Sequence, residues 1–248
     1  MIILKSPREI EKMRVSGRIV AEVLGILKAR IRPGITTLEL NELAEAEARR
    51  RKARPAFKGY NGFPYSLCCS VNEQVVHGMP NSRELVEGDI ISLDFGVVVD
   101  GFYGDAAITV PVGSVRPAVL DLLAVTEESL QRAVEASVVG NRLSDISHAV
   151  QSYVEARGYS VVREFVGHGI GKNLHEGPQV PNFGEPGRGV KLKAGMVLAI
   201  EPMINEKGHH VTILSDGWTA VTCDKGMSAH FEHTVAITEN GPDILSKL

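Results

Sequence analysis

Several features of secreted, membrane-spanning or fibrous proteins are missing from this sequence. Its 248 residues contain three cysteines, of which Cys68 and Cys69 are adjacent and Cys223 stands alone. This number is too small for a disulfide scaffold and is typical of a reducing compartment. No apolar run approaches the length of a membrane-spanning helix, and the apolar start at residues 1–5 is too short for a signal peptide. We therefore expect a soluble, cytoplasmic protein with no membrane partner.

A strong excess of one charge is also missing, since 27 basic and 30 acidic residues give a net charge of −3. The short basic run 49–52 follows the acidic residues of a predicted helix, where cations favour the C-terminal end of the helix dipole. We therefore predict no nucleic-acid partner, with a basic patch at 49–52 as the alternative. The hydrophobic content of 44% is that of an ordinary globular protein. No linker interrupts the sequence, so we expect a single catalytic domain over residues 1–248.

Hydrophobic periodicity and capping residues predict a mixture of helices and strands. Ser6, Pro7 and Glu9 form a helix start with a capping box, and Arg32-Pro33-Gly34 is a stop signal. The predicted helices run from Pro7 to this stop and over residues 37–51, 117–138 and 143–157. The predicted strands cover residues 66–72, 160–166, 196–201, 209–214, 218–223 and 230–237, besides the hairpin described next.

Two apolar strands joined by an Asp100-Gly101 turn form the strongest local signal, because this dipeptide favours a two-residue hairpin. Each strand carries one carboxylate. In this register Asp94 lies opposite Ala107, so Asp105 is a diagonal neighbour on the same face unless a β-bulge intervenes. Two carboxylates on one apolar face are unfavourable without a partner. They should share protons, contact cations or hold a metal ion.

Two pairs of segments indicate a faint internal duplication. Residues 34–40 resemble 140–146, and residues 88–94 resemble 195–201, at nearly equal offsets. The second pair puts Glu201 in the place of Asp94, and His77-Gly78 with His168-Gly169 is a candidate third pair. We therefore predict two similar halves, about 10–115 and 116–240, related by a pseudo-twofold axis. Chance similarity between apolar strands is the alternative.

Polar residues at other apolar strands complete a candidate metal site. Taken singly, a histidine in a glycine-rich loop is usually a hydrogen-bonded loop residue, and a glutamate at a strand end usually faces solvent. Together, five residues form a set in which all four carboxylates lie within or beside apolar strands: Asp94, Asp105, His168, Glu201 and Glu232. Two divalent cations would cancel the charge of four carboxylates, and such ligands suit Mn²⁺, Fe²⁺ or Co²⁺. Two metals can share a water, acidify it and polarise a carbonyl, which is the chemistry of hydrolysis.

The sequence resembles the bacterial type I methionine aminopeptidases, and the resemblance covers essentially its whole length. The resemblance rests on several specific motifs: residues 70–73 leading to His77-Gly78-Met79-Pro80, Leu93-Asp94-Phe95-Gly96 with Asp105, Gly167 to Gly171 with His175-Glu176, Ile200-Glu201-Pro202, and Phe231-Glu232-His233-Thr234. It implies an α+β pita-bread fold with two pseudo-symmetric halves, each of helices and antiparallel strands, around a central curved sheet. It also implies that the five residues above hold two divalent metal ions, with Co, Mn, Fe and Zn as the alternatives.

The resemblance further implies a hydrolase that excises the N-terminal methionine from nascent proteins and peptides, with a preference for a small second residue. A metal-bridging water would attack the scissile carbonyl, and Glu201 would accept its proton. His175 would donate to the oxyanion, and His77 would contact the peptide nitrogen. The methionine pocket would be lined by Phe57, Tyr60, Phe63, Cys68 and Trp218. The family is expected to act on nascent chains near the ribosome, here as a monomer.

Three alternatives remain at this stage. A prolidase or aminopeptidase P shares the metal motifs but usually carries a separate N-terminal domain, for which the position of Asp94 leaves little room. A binding protein on the same scaffold would tend to lose metal ligands, and all five are present. A dinuclear phosphoesterase usually recruits more histidine ligands than this sequence offers.

Overall fold

Two pairs of helices, each followed by a run of strands, make up the computed structural model of the protein, which describes residues 2–248. The helices are α1 (Pro7–Arg30), α2 (Thr37–Arg50), α3 (Pro117–Ala136) and α4 (Leu143–Glu155). The strands are β1 (Arg54–Pro55), β2 (Cys68–Val71), β3 (Ile90–Val99), β4 (Phe102–Pro111), β5 (Ser160–Val161), β6 (Gly167–Gly169), β7 (Glu176–Val180), β8 (Val197–Ile200), β9 (Met203–Asn205), β10 (Val211–Ile213), β11 (Ala220–Thr222), β12 (Ser228–His230), β13 (Glu232–Thr238) and β14 (Gly241–Ile244). Within residues 2–248, none of the helices combines the length and apolar character that a bilayer crossing requires.

The four predicted helices are confirmed, with ends within about two residues of the expected positions. Helix α1 begins with the predicted capping box, in which the Ser6 hydroxyl accepts from the Glu9 amide and the Glu9 carboxylate accepts from the Ser6 amide. Thr36 and Glu39 form the same arrangement at the start of α2. These caps satisfy amide groups that a helix start leaves unpaired.

A nine-stranded antiparallel sheet forms the centre of the fold, with the main order β1-β3-β4-β13-β8-β6-β7. Strand β2 also pairs with β3, and β14 with β13. Leu93 and Phe95 of β3 pack in one core with α1 and α2, whereas Leu198 and Ile200 of β8 pack in another with α3 and α4. Since consecutive strand residues point to opposite faces, Asp94 lies on the face away from the helices.

The predicted hairpin register is confirmed. Asp94 lies opposite Ala107, and the pairing of β3 with β4 continues without a bulge, so Asp105 shares the face of Asp94. The turn residues Asp100 and Gly101 have φ angles of 49° and 78°. Positive φ at both positions is what a type I′ hairpin turn requires.

The strand order also places related elements symmetrically. Strands β4 and β13 are neighbours, and β3 and β8 flank them on either side. In this order Asp94 on β3 and Glu201 at the end of β8 occupy the outer positions, and Asp105 on β4 and Glu232 on β13 occupy the inner ones. This order fits the two predicted halves, about 10–115 and 116–240, whose equivalence stays a prediction.

Several strand boundaries were predicted wrongly. The strand expected at 160–166 is reduced to β5, and His168 lies within β6 rather than beyond a strand. Strand β6 escaped prediction because glycine has low strand propensity. A Cβ atom at Gly167 would nevertheless overlap the Ala199 carbonyl, so the close pairing with β8 requires glycine there.

The single strand expected at 230–237 is divided at Phe231. Strand β12 pairs with β9 in a separate three-stranded sheet, whereas β13 pairs with β4 and β8 in the large sheet. A change of sheet leaves no local signal, since both parts are apolar and extended. The sequence also gave no indication of β1, β7, β9 and β14.

Candidate metal centre and peptide pocket

All twelve residues predicted for the site line one pocket on the face of the sheet away from the helices. Its walls are formed by Phe57, Tyr60, Phe63, Cys68, His77, Asp94, Asp105, His168, His175, Glu201, Trp218 and Glu232, together with Asn61 and Leu174. The cavity between these walls has a volume of about 190 Å³, which is small for a ligand pocket and suits one side chain with the adjoining peptide bond rather than a large ligand.

Adjacent strands bring the carboxylates together. Asp94 and Asp105 come from the β3–β4 hairpin, and Glu232 on β13 pairs with Ala107 of β4. Glu201 directly follows β8, and His168 of β6 pairs with Ala199 of that strand. These five residues, spread from position 94 to position 232, thus converge because four neighbouring strands and the end of β8 each bring one of them to the same face.

The tightest part of this cluster consists of Asp105, His168 and Glu232, which are buried and offer ligand atoms within 4.8 Å of one another. The Nδ1 atom of His168 lies 2.9 Å from the Gly169 carbonyl oxygen. Because a carbonyl oxygen only accepts, Nδ1 carries the proton and the lone pair is on Nε2. Nε2 lies 3.6 Å from Glu201 Oε1, so the lone pair faces the carboxylates.

Among residues 2–248, three buried carboxylate oxygens have no hydrogen-bond partner, namely Asp94 Oδ1, Asp105 Oδ1 and Glu232 Oε1. Burial, reinforced by the neighbouring carboxylates, raises the pKa of Asp94, Glu201 and Glu232 well above the ordinary value. Burial also raises the pKa of Asp105 to about 7. Such oxygens fit a divalent cation, which would supply both the missing contacts and the compensating charge.

The imidazoles of the site are neutral at pH 7. Burial lowers the pKa of His168 to about 3 and that of His77 to about 4, and it also lowers the pKa of His175. The contact between His168 and Glu201 is therefore not an ion pair. A neutral imidazole is the form that binds metal ions.

The two histidines that were predicted to contact the substrate border the cluster. His175 lies in the segment between β6 and β7, as expected for a loop, and its Nδ1 atom is 2.7 Å from the Tyr60 hydroxyl. Its ring stands edge-on to that of His168, with centroids 4.2 Å apart. His77 has a φ angle of 59°, in the left-handed region that non-glycine residues rarely adopt. Such backbone strain often accompanies functional positions.

The opposite end of the pocket is apolar. Phe63 and Trp218 pack edge-to-face with ring centroids 5.2 Å apart, and Phe57 and Leu174 belong to the same cluster. Cys68 is buried, and burial together with nearby carboxylates raises the pKa of its thiol well above the ordinary value. The thiol is therefore neutral, which does not favour nucleophilic chemistry, and it lines the wall of the pocket.

Sequence reasoning missed three residues of this region. His230 is buried, and its Nε2 atom has no hydrogen-bond partner in the described part of the chain and lies 3.7 Å from Glu201 Oε2. Its spacing from Glu232 was not a reliable signal, because the chain changes sheets at Phe231 between these two residues. Asn61 and Leu174 also line the pocket. They are neighbours of predicted residues, but no motif distinguishes them.

A curved antiparallel sheet with carboxylates, a histidine and an apolar wall in one pocket is the arrangement of a metal-dependent peptidase. Residues 11–239 match the model of the metallopeptidase family M24, and the chain belongs to this family. Membership implies the use of a divalent metal and a hydrolytic reaction. It also argues against the phosphoesterase alternative.

Within this metallopeptidase family, the chain is clearly similar to proteins named methionine aminopeptidase. The chain is 56% identical to the methionine aminopeptidase of Clostridium perfringens over 99% of both chains. It is 54% identical to methionine aminopeptidase 1 of Bacillus subtilis over the full length of both. The crystal structure of the methionine aminopeptidase from Thermotoga maritima superposes with a TM-score of 0.99 at 48% identity over the whole of both chains. The predicted pita-bread fold and family resemblance are thereby confirmed.

A more distant likeness concerns the fold alone. The prolidase from Pyrococcus furiosus superposes with a TM-score of 0.81 at 24% identity, and the match covers 66% of that chain. The prolidase alternative therefore has much weaker support than the methionine aminopeptidase prediction.

Proposed function

We propose that this protein removes the N-terminal methionine from peptides and nascent proteins and prefers a small second residue. The main support is one juxtaposition in the pocket, where four carboxylates and a neutral imidazole lie beside an apolar wall. The full-length identity of 56% to a protein named methionine aminopeptidase supports the same activity.

The proposed metal ligands are Asp94, Asp105, His168, Glu201 and Glu232, which would hold two divalent cations. The charge of four carboxylates matches that of two such ions, and the unpartnered oxygens of three ligands need electropositive partners. First-row ions such as Co²⁺, Mn²⁺, Fe²⁺ and Zn²⁺ fit these ligand types. When bound, divalent ions of this kind polarise a carbonyl and lower the pKa of water.

Three side chains of the protein carry out the proton transfer and the contacts with the substrate. Glu201 accepts the proton of the attacking water, and His77 contacts the nitrogen of the scissile peptide. His175 stabilises the oxyanion through Nε2–H. This role requires the hydrogen of the neutral ring to be on Nε2, so the Tyr60 hydroxyl donates to Nδ1 across their 2.7 Å contact.

Substrate selection follows from the apolar end of the pocket. Phe57, Phe63, Cys68 and Trp218 present carbon and sulfur atoms, which suit a flexible thioether side chain. A charged side chain in the same place would lose its hydration without gaining a partner. We therefore propose that methionine is accepted, and lysine or glutamate rejected, at the N-terminal position.

Peptide hydrolysis with added Mn²⁺ or Co²⁺ tests this function. Met-Ala-Ser should be cleaved, whereas Ala-Pro and a generic phosphoester should not. A norleucine peptide should be a fair substitute, because the pocket discriminates by only about 1–3 kcal/mol per methylene. Equal rates on Met-Ala and Lys-Ala peptides would contradict the proposed pocket, and cleavage of Ala-Pro alone would favour the prolidase alternative.

The cellular setting is part of the same proposal. Cys68, Cys69 and Cys223 are all free thiols, which supports the predicted cytoplasmic location. Action as a monomer on chains emerging from the ribosome stays a prediction, because it was inferred from the family resemblance.

A further inference from the structure

Lys5 contacts the segment that carries His175. Lys5 precedes α1, and Glu176 directly follows His175 at the start of β7. We propose that the ion pair between Lys5 and Glu176 is a positioning device that holds His175 in its place at the pocket. This inference rests on the proposed function, because it concerns the residue assigned to the oxyanion.

The ion pair is short and closed to solvent. Lys5 Nζ lies 2.5 Å from Glu176 Oε2, and the two side chains are only 4% and 3% exposed. Lys5 Nζ also donates to the Ile3 carbonyl at 2.9 Å. The backbone amide of Lys5 donates to the Gly195 carbonyl at 2.7 Å, which anchors the residue beside β8. Lys5 is thus fixed at both its backbone and its charged end.

Glu176 in turn organises the preceding loop. Its second oxygen, Oε1, accepts from the backbone amide of Asn173 at 3.1 Å. The loop also packs directly on the lysine stem, since a Cβ atom at Gly171 would overlap Lys5 Cε. One carboxylate therefore connects the loop backbone to a cation 171 residues away in the sequence.

The side chains of two successive residues, His175 and Glu176, point in opposite directions and so connect the ion pair to the pocket. Glu176 points away from the pocket toward Lys5, and the preceding side chain, His175, lines the pocket and contacts Tyr60. A shift of the backbone at Glu176 would therefore move the imidazole as well. Replacing a buried ion pair by apolar residues is often neutral or stabilising, so a role in geometry explains this pair better than a role in stability.

A double-mutant cycle between Lys5 and His175 tests the inference with Met-Ala-Ser as the substrate. Lys5→Met should lower kcat by about 10-fold or more, because small displacements of catalytic groups have large effects on rate. KM should change by less than about two-fold, since the side chain does not contact the pocket. In the His175→Ala background the same substitution should lower kcat by less than about two-fold, because the imidazole that Lys5 is proposed to position is already absent.

Lys172→Met is the matched control. This lysine belongs to the same loop, but its side chain is 67% exposed and its contact with Glu9 is 3.6 Å long. Its removal should leave kcat unchanged in both backgrounds. If Lys5→Met lowered kcat equally with and without His175, the ion pair would act on something other than this histidine and the inference would be overturned.

Hydrogen exchange of residues 170–176 provides a readout that does not depend on catalysis. Lys5→Met should accelerate exchange of the Asn173 amide, which depends on Glu176, whereas Lys172→Met should not. Unchanged exchange in Lys5→Met would overturn the inference. A wild-type protein that fails to cleave Met-Ala-Ser, or a His175→Ala variant at full rate, would instead contradict the proposed function.

The double variant Lys5→Met with Glu176→Gln covers the case in which Lys5→Met alone does not fold. It leaves no unpaired buried charge, so it should fold. It should still show the lower kcat and the faster exchange, because the link from Lys5 to the loop is lost. A folded double variant with wild-type kcat and exchange would overturn the inference.

Discussion

The hydroxyl of Tyr60 lies 2.7 Å from Nδ1 of His175, although 115 residues separate them in the sequence. Their rings are also close, with centroids 5.1 Å apart. A hydroxyl can donate to or accept from a neutral imidazole, and this choice determines which ring nitrogen carries the hydrogen. Donation by Tyr60 leaves Nε2–H available to a developing oxyanion. The contact therefore couples a residue of the peptide pocket to the proposed chemistry.

Removal of this hydroxyl tests the coupling. Tyr60→Phe should lower kcat by between about two- and tenfold, as expected for the loss of one hydrogen bond of about 0.5–1.5 kcal/mol. KM for Met-Ala-Ser should change little, because the ring that lines the pocket is kept. Steady-state kinetics measure both values.

Tyr65→Phe is the control for Tyr60→Phe, since Tyr65 lies on the same segment and packs on Phe63 with centroids 6.2 Å apart. It should keep the wild-type kcat. A Tyr60→Phe enzyme at full rate would mean that the tautomer of His175 does not depend on this contact.

Substitution of His168 and of His175 should separate metal binding from oxyanion stabilisation. His175→Ala should keep its metal ions and its KM but lose about 10²–10³-fold in kcat, the usual effect of removing one oxyanion donor. His168→Ala should lose metal affinity as well as activity, because a ligand is removed. Metal analysis after dialysis, together with kinetics, measures the difference.

The imidazoles of His168 and His175 are neighbours, with ring centroids 4.2 Å apart. Because both substitutions remove the same side chain from nearly the same place, each serves as a control for the other. If His175→Ala protein lost its metal ions, His175 would have to be reassigned as a ligand. If it kept the full rate, it would not be the oxyanion donor.

The metal-free protein should lose stability as the pH rises above about 6.5. Burial raises the carboxyl pKa values, that of Asp105 to about 7, so the folded state binds more protons than the unfolded state and the free energy of unfolding falls with pH. The lowered pKa values of the buried histidines, about 3 for His168 and His230, have the opposite effect, which fades as the pH rises past the ordinary value of 6.5. Once it has faded, the carboxyl effect dominates.

Urea unfolding of EDTA-treated protein between about pH 6.5 and about pH 8.5 measures this dependence. Added Mn²⁺ should raise the free energy of unfolding and abolish the decline, because bound cations favour the ionised carboxylates and release protons. A metal-free protein whose stability stayed constant or rose over this range would contradict the assigned electrostatics.

Two glycines of α1 should respond oppositely to the same substitution. Gly17→Ala should destabilise the protein by about 1–3 kcal/mol, because its Cβ atom would overlap the carbonyl of Leu245 in a tightly packed region. Gly25→Ala has no atom within 4 Å of the added Cβ and should stabilise the helix by about 0.5–1 kcal/mol. Thermal or urea unfolding compares the two. Equal effects would show that α1 can shift on its neighbours.

The local sequence determined much of the helical and hairpin structure. The capping box at Ser6 and the Asp100-Gly101 turn involve interactions within a few residues, and both are present in the structure. Once the turn was placed, the two-residue period of a strand put Asp94 and Asp105 on one face. Carboxylates in apolar strands, which require a cation or a shared proton, also led to the proposed metal ligands, and the structure places these side chains around one pocket.

Only the tertiary structure decided how distant segments meet. The contact of His230 with Glu201 depends on a change of sheet at Phe231, and strand β6 forms because β8 approaches the glycine backbone closely. The burial of Lys5 against Glu176 likewise arises only when the chain start lies beside the loop of His175. Propensity and periodicity act over a few residues, whereas these contacts depend on which strands pair and which surfaces are buried together.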